Sequence, residues 1–288
     1  MIELRHLTSN DSLHGMFQVK EGIAYSKETG QTLTVIYPWA ADYAQDKPRL
    51  PLVVFVQGSG WTTPSMSFQL PQLCELARRG YVVASVSHRS IFDGHPCPAQ
   101  LVDVKCSIRY LRAHAAEYGI DPGRVALWGS SSGAQVAQAV GVTAGRGRCQ
   151  PGEWADQSDA VSCVVSCFGP CDLAAWIEFN RPNPDCEANI AALLPGDEEE
   201  RAEVARAVSA LTYVSPERAG SIPPYFLSVG TNDPLVELAQ VTRMADALSA
   251  VGAKIDGVIV DGALHESTFW SQDVLDHIWA FIDKHLAA

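Results

Sequence analysis

Val125-Ala126-Leu127-Trp128-Gly129-Ser130-Ser131-Ser132-Gly133 decides the fold. Four apolar residues of strand character run into glycines and serines, and residues 134–140 continue at helical spacing. A strand that passes through small residues straight into a helix must turn sharply. Gly129 and Gly133 let the two backbones approach, and the turn pushes one side chain out above the sheet, at the positive end of the helix dipole. Only Ser131 has glycines at both minus two and plus two, so it is the candidate nucleophile. The strand before it and the helix after it set aside a bare Gly/Ser loop.

Working outward, the same alternation recurs. Residues 52–56 and 81–86 are continuous apolar runs, the kind a strand covered on both faces carries. Residues 69–79 and 101–118 read as helices, each followed by a glycine stop at Gly80 and Gly119. Residues 161–165, 225–229 and 254–260 supply further strands, and residues 271–286 a closing helix. Residues 1–45 read as short β segments, of which 31–37 alternates most clearly. Strands alternating with helices predict an α/β fold, a mostly parallel, doubly wound central sheet with helices on both faces. Ligands of such sheets sit beyond the carboxyl ends of the strands. The chain reads as one domain, 1–288, with a long excursion at 171–224 expected to form a cap or lid. Its acidic run, 197–200, reads as a solvated helix start.

A serine hydroxyl needs a base to become a nucleophile. Of 8 histidines, His265 follows the strand at 254–260 and precedes the last helix. His88 and His95 lie in a loop that could line a pocket, but they precede the nucleophile. Asp233 follows the strand at 225–229 and is the expected orienter of His265, with Asp261 and Glu266 as substitutes. Acyl transfer also needs backbone N–H groups aimed at the developing oxyanion. One is the amide of Ser132; others belong to the loop Gln57-Gly58-Ser59-Gly60-Trp61, which follows an early strand. Trp61, Trp176 and Phe179 are expected to line the substrate pocket.

The remaining composition narrows the partners. With 21 basic and 33 acidic residues, the net charge of -12 repels phosphate backbones and anionic membranes, so nucleic acid is not an expected partner. Arg146-Gly147-Arg148 is too small a basic patch to alter that. No run reaches a membrane-spanning length, and Met1-Ile2-Glu3-Leu4-Arg5-His6 lacks the pattern of a signal peptide, so a cytoplasmic protein is expected. The 8 cysteines are scattered. Cys163, Cys167 and Cys171 are evenly spaced without a nearby histidine, which reads as buried thiols rather than a metal site. No cofactor and no metal are expected. The expected partner is a small-molecule ester, and a homo-oligomer is compatible with these features.

Several motifs taken together resemble a known group. Val56-Gln57-Gly58-Ser59-Gly60-Trp61 is similar to the H-G-G-G-W segment of hormone-sensitive-lipase-like and feruloyl-esterase-like (BD-FAE-type) α/β-hydrolases. The likeness continues through residues 80–86, Asp103-Val104-Lys105, residues 120–125, the Ser131 junction, Gly230-Thr231-Asn232-Asp233-Pro234-Leu235-Val236 and His265. It implies a serine esterase for small acyl or carbohydrate-linked esters, with Ser131, Asp233 and His265 as triad. Carried over by position, the oxyanion donors are the amides of Ser59, Gly60 and Ser132. Gln57 stands where the family has histidine, Ser59 where it has its middle glycine, and Ser87-His88-Arg89 departs from the usual loop. An amide hydrolase (formamidase or aminopeptidase-like) with the same triad is the first alternative, and a non-catalytic binding protein of the same fold the second.

Overall fold

The apolar runs become the inner strands of one sheet. A computed structural model describes residues 4–145 and 152–287. Within these residues the strands are β1 (Phe17–Ala24), β2 (Thr32–Pro38), β3 (Leu50–Val56), β4 (Val82–Val86), β5 (Ile120–Ser130), β6 (Cys163–Cys167), β7 (Tyr225–Gly230) and β8 (Ile255–Val260). The helices are α1 (Ala40–Tyr43), α2 (Leu70–Arg78), α3 (Ala99–Ala113), α4 (Ala115–Tyr118), α5 (Ser131–Thr143), α6 (Leu173–Asn180), α7 (Pro184–Leu193), α8 (Glu198–Val208), α9 (Leu238–Ala250) and α10 (Gln272–Leu286). Arg146-Gly147-Arg148 and Met1-Ile2-Glu3 lie outside the described residues. No described helix is long and apolar enough to cross a membrane.

The sheet runs β1-β2-β4-β3-β5-β6-β7-β8. β1 and β2 pair antiparallel, as do β2 and β4, whereas every pairing from β4 through β3 and on to β8 is parallel. This is the mostly parallel α/β sheet that the alternation predicts. Leu52 to Val56 and Val82 to Val86 are completely or almost completely buried, because helices cover both faces. Parallel pairing brings the carboxyl ends of these strands to one edge. The loops after β3, β5, β6, β7 and β8 therefore share one rim.

Some boundaries differ from the sequence reading for local reasons. The helix expected over 101–118 is broken at His114 (φ −102°, ψ 18°) into α3 and α4. Its ring stacks on Tyr110 at 4.0 Å and meets Trp154 at 5.0 Å, so tertiary packing outweighs helix continuity. β6 begins two residues later than expected. α5 begins at Ser131 itself, not at Ala134. Residues 171–224 contain α6, α7 and α8 followed by short 3₁₀ turns. The acidic run is the start of α8: Asp197 accepts from the Glu200 N–H at 3.0 Å, while the Glu200 side chain accepts from the Asp197 N–H at 3.0 Å. That reciprocal cap, with three glutamates in the first turn, suits the positive helix end. Cys163, Cys167 and Cys171 are fully buried, the state expected of small apolar side chains.

Candidate active site

The junction between β5 and α5 has the geometry its glycines predict. A Cβ on Gly129 would sit 2.3 Å from the Gly133 carbonyl oxygen, and one on Gly133 would sit 2.2 Å from the Val56 oxygen. Neither position admits a side chain. Ser131 itself has φ 50°, a conformation that costs a non-glycine residue energy and is held by its surroundings. A Cβ on Gly58 would lie 2.6 Å from Cβ of Ser131, so the loop after β3 passes directly against Ser131.

Two further strand ends complete the arrangement. Asp233 lies in the turn after β7 and His265 in the loop after β8. Nε2 of His265 is 2.9 Å from Oγ of Ser131, and Nδ1 is 2.7 Å from Oδ2 of Asp233. One tautomer satisfies both contacts: Nδ1–H donates to the carboxylate and Nε2 accepts from the serine hydroxyl. The other oxygen, Oδ1 of Asp233, accepts from the amides of Leu235 at 2.8 Å and Val236 at 2.9 Å. These bonds fix a carboxylate whose side chain is fully buried. Phe168, just past β6, meets the His265 ring edge-to-face at 4.7 Å. The structure thus brings Ser131, Asp233 and His265 together and leaves Asp261 outside the constellation.

Glu266, the other substitute orienter, is engaged elsewhere. Its Oε2 accepts from the Trp270 indole N–H at 2.6 Å. Burial pushes its carboxyl above the usual carboxylate range, against smaller opposing contributions from Trp270, His265 and Ser130. His88 is completely buried and absent from the cavity wall, its Nδ1 lying 3.0 Å from the Arg89 carbonyl oxygen.

The loop of residues 57–61 surrounds the oxyanion position, with one departure from expectation. Gly60 and Trp61 both have positive φ, 61° and 60°. Among the described residues the Gly60 amide meets no protein acceptor. The Ser59 amide instead donates to Oγ of Ser132 at 3.0 Å. The amide expected as an oxyanion donor is thus paired with a neighbouring hydroxyl when no substrate is bound. The Ser59 hydroxyl turns away to the Thr62 carbonyl at 2.6 Å. Gln57, in the family's histidine position, accepts from the Ser65 amide and braces the following turn.

A cavity of about 300 Å³ opens over Ser131 and His265. Trp61 and Trp176 line it, their rings edge-to-face at 5.0 Å. Phe179 does not line it: this side chain is 39% exposed, which corrects the third pocket expectation. Asp185, Cys186 and Asn189 of α7, together with Leu235 and Val236, complete much of the wall and were not expected in the pocket from sequence. The only available signal was that Leu235 and Val236 directly follow Asp233. No group of metal-ligating side chains is found among the described residues.

Such a sheet, with a serine elbow and an imidazole–carboxylate pair at its carboxyl edge, defines an α/β-hydrolase. Residues 41–248 match the BD-FAE family, and the chain belongs to it. Among curated proteins the chain is 30% identical over 208 residues to esterase LipQ of Mycobacterium tuberculosis, covering 71% of this chain and 47% of that one. It is 27% identical over 260 residues to esterase LipC of the same organism, covering 88% and 60%. The chain thus spans about half the length of the curated relatives it matches. A solved carbohydrate esterase from gut microbiota, in truncated form, shares the fold with a TM-score of 0.77 and 24% identity, over 97% of this chain and 99% of that one.

Proposed function

We propose that this chain is a serine carboxylic ester hydrolase for small acyl esters, with Ser131 as nucleophile, His265 as general base and Asp233 as its orienter. The observation that carries it is the unbroken path from Oγ of Ser131 through His265 to Asp233, at 2.9 and 2.7 Å. His265 takes the Ser131 proton as Oγ forms a bond to the ester carbonyl carbon. The carbonyl π electrons move onto oxygen, which the amides of Gly60 and Ser132 stabilise. The tetrahedral species then collapses, the ester C–O bond breaks, and His265 gives its proton to the departing alcohol. Water, activated by the same imidazole, hydrolyses the acyl-enzyme and restores Ser131.

The esterase names of LipQ and LipC support this chemistry. The cavity of about 300 Å³ favours short acyl groups over long chains. Within a single domain, residues 171–224 act as the cap, with α6 and α7 walling the pocket. Carbohydrate-linked alcohols fit the open, partly polar side formed by Asp185, Asn189 and Glu266.

The test is a panel of p-nitrophenyl acetate, butyrate and octanoate with purified protein, alongside labelling by a fluorophosphonate and peptide mapping. Turnover falling from butyrate to octanoate, with the label on Ser131, is the expected result. No turnover of any ester together with an unlabelled Ser131 would overturn the proposal.

A further inference from the structure

Three consecutive serines meet the loop of residues 58–60, and only the hydroxyl of the middle one has been given a task. Ser130 is the last residue of β5, in extended conformation, and Ser132 lies in the first turn of α5. Both are buried, 0% and 2% exposed. Their hydroxyls face the same loop. Oγ of Ser130 accepts from the Gly58 amide at 3.0 Å, and Oγ of Ser132 accepts from the Ser59 amide at 3.0 Å. The two bonds flank Ser131 and take up two successive amides of the loop.

The loop needs such bonds. Directly after the two pinned amides come Gly60 and Trp61, both at positive φ. A non-glycine residue there persists only where neighbours hold it. Thr62 closes the bend from within, its amide and hydroxyl both donating to the Ser59 carbonyl. Those contacts set the plane of the peptide that carries the Gly60 N–H, but they do not tie the loop to the nucleophile. The serine hydroxyls do. Asn189 of α7 adds a third tie at 2.9 Å to the Gly60 carbonyl, on the far side of the bend.

We propose that Ser132 is a positioning residue, whose hydroxyl registers the oxyanion loop against the elbow through the Ser59 amide, with Ser130 as a weaker partner through Gly58. This rests on the assignment of Ser131 as nucleophile. Ser132 then serves twice: its amide is an oxyanion donor and its side chain holds the loop that carries the other donor, Gly60. Ser130 acts one residue further from Gly60, so its influence on the donor is smaller. The oxyanion hole is thereby stabilised by a side chain that never touches substrate.

The experiment compares wild type, Ser132→Ala, Ser132→Thr and Ser130→Ala. Alanine keeps the amide of residue 132 and removes only the hydroxyl. Three readouts are taken on each: kcat and KM on p-nitrophenyl acetate, the melting temperature, and hydrogen exchange of the Ser59 amide. Ser132→Ala is expected to lower kcat by about tenfold, since a misplaced donor costs up to a hundredfold. KM stays within about twofold, and the Ser59 amide loses its protection. Ser132→Thr restores a hydroxyl and recovers most of kcat, and Ser130→Ala loses less than Ser132→Ala. An unchanged or raised kcat in Ser132→Ala, or a loss confined to KM, overturns the proposal. If wild type neither turns over ester nor reacts with a fluorophosphonate at Ser131, the underlying assignment fails instead, and retained Ser59 protection that vanishes in Ser132→Ala would identify a purely structural clamp.

Discussion

The rim of the sheet and the helices of residues 171–224 build opposite sides of one cavity by different means. On the rim, each reactive side chain stands within a few residues of a strand end and is locked by backbone bonds: Asp233 by the amides of Leu235 and Val236, Ser131 by glycines that admit no side chain. The helical side contributes Trp176, Asp185, Cys186 and Asn189 from α6 and α7. It is tied to the rim by side-chain bonds, Trp176 and Asn180 to the Leu235 carbonyl, each at 2.9 Å, and Asn189 to the Gly60 carbonyl at 2.9 Å. A dense backbone frame suits chemistry that tolerates little displacement. A side chain or two per helix suits a wall that, on the proposed function, sets which acyl group fits.

This contrast has measurable consequences. Ser131→Ala should lower turnover about a million-fold with the melting temperature unchanged, read by ester hydrolysis and thermal unfolding. Activity at the wild-type level would remove the rim from the chemistry. Asp233→Asn should lower kcat by about ten-thousand-fold, because the amide favours the wrong tautomer of His265. On the helical side, Trp176→Ala should change kcat/KM for butyrate relative to acetate by about tenfold, while leaving kcat on acetate nearly intact. A collapse of kcat on every ester would erase the distinction between the two sides.

Smaller effects sharpen the picture. Burial raises the Glu266 carboxyl above its usual range, so the folded state favours its protonated form. Stability linked to this group is complete below the ordinary carboxylate pKa and is lost as pH rises through the raised value. Glu266→Gln removes that loss, so melting temperatures of the two proteins should diverge with rising pH, the variant being the more stable. A gap independent of pH would contradict the burial argument. Phe179→Ala should leave both kcat and KM within about twofold, since an exposed side chain off the cavity wall has little to contribute.

The same contrast explains what could be read from sequence. The doubly wound sheet was legible because buried strands are written as apolar runs, and glycines end the helices between them. Ser131, Asp233 and His265 were legible because each follows such a run closely, so chain position alone brings them to one edge. Helix faces carry no such marker. On α6 the inward stripe is Leu173, Trp176 and Asn180; Trp176 and Asn180 both donate to the Leu235 carbonyl. Phe179 is one residue, about 100° of rotation, off that stripe and faces out. Asp185 and Asn189 lie four apart on α7, a spacing that many solvated helices share. The engagement of the Ser59 amide was illegible for another reason. A backbone donor's partner depends on where a distant hydroxyl lands, and residue identity at 59 says nothing of it.

The positive φ of Ser131 also limits which elements the elbow can use for covalent chemistry. A left-handed backbone with glycines packed at both flanks favours a side chain carrying a single heavy atom on Cβ, which here meets the imidazole. Sulfur in place of oxygen satisfies that requirement. A branched Cβ does not, since its second substituent meets the turn that creates the conformation. On the proposed mechanism, the fold therefore holds open a route from alkoxide to thiolate attack and disfavours a secondary alcohol.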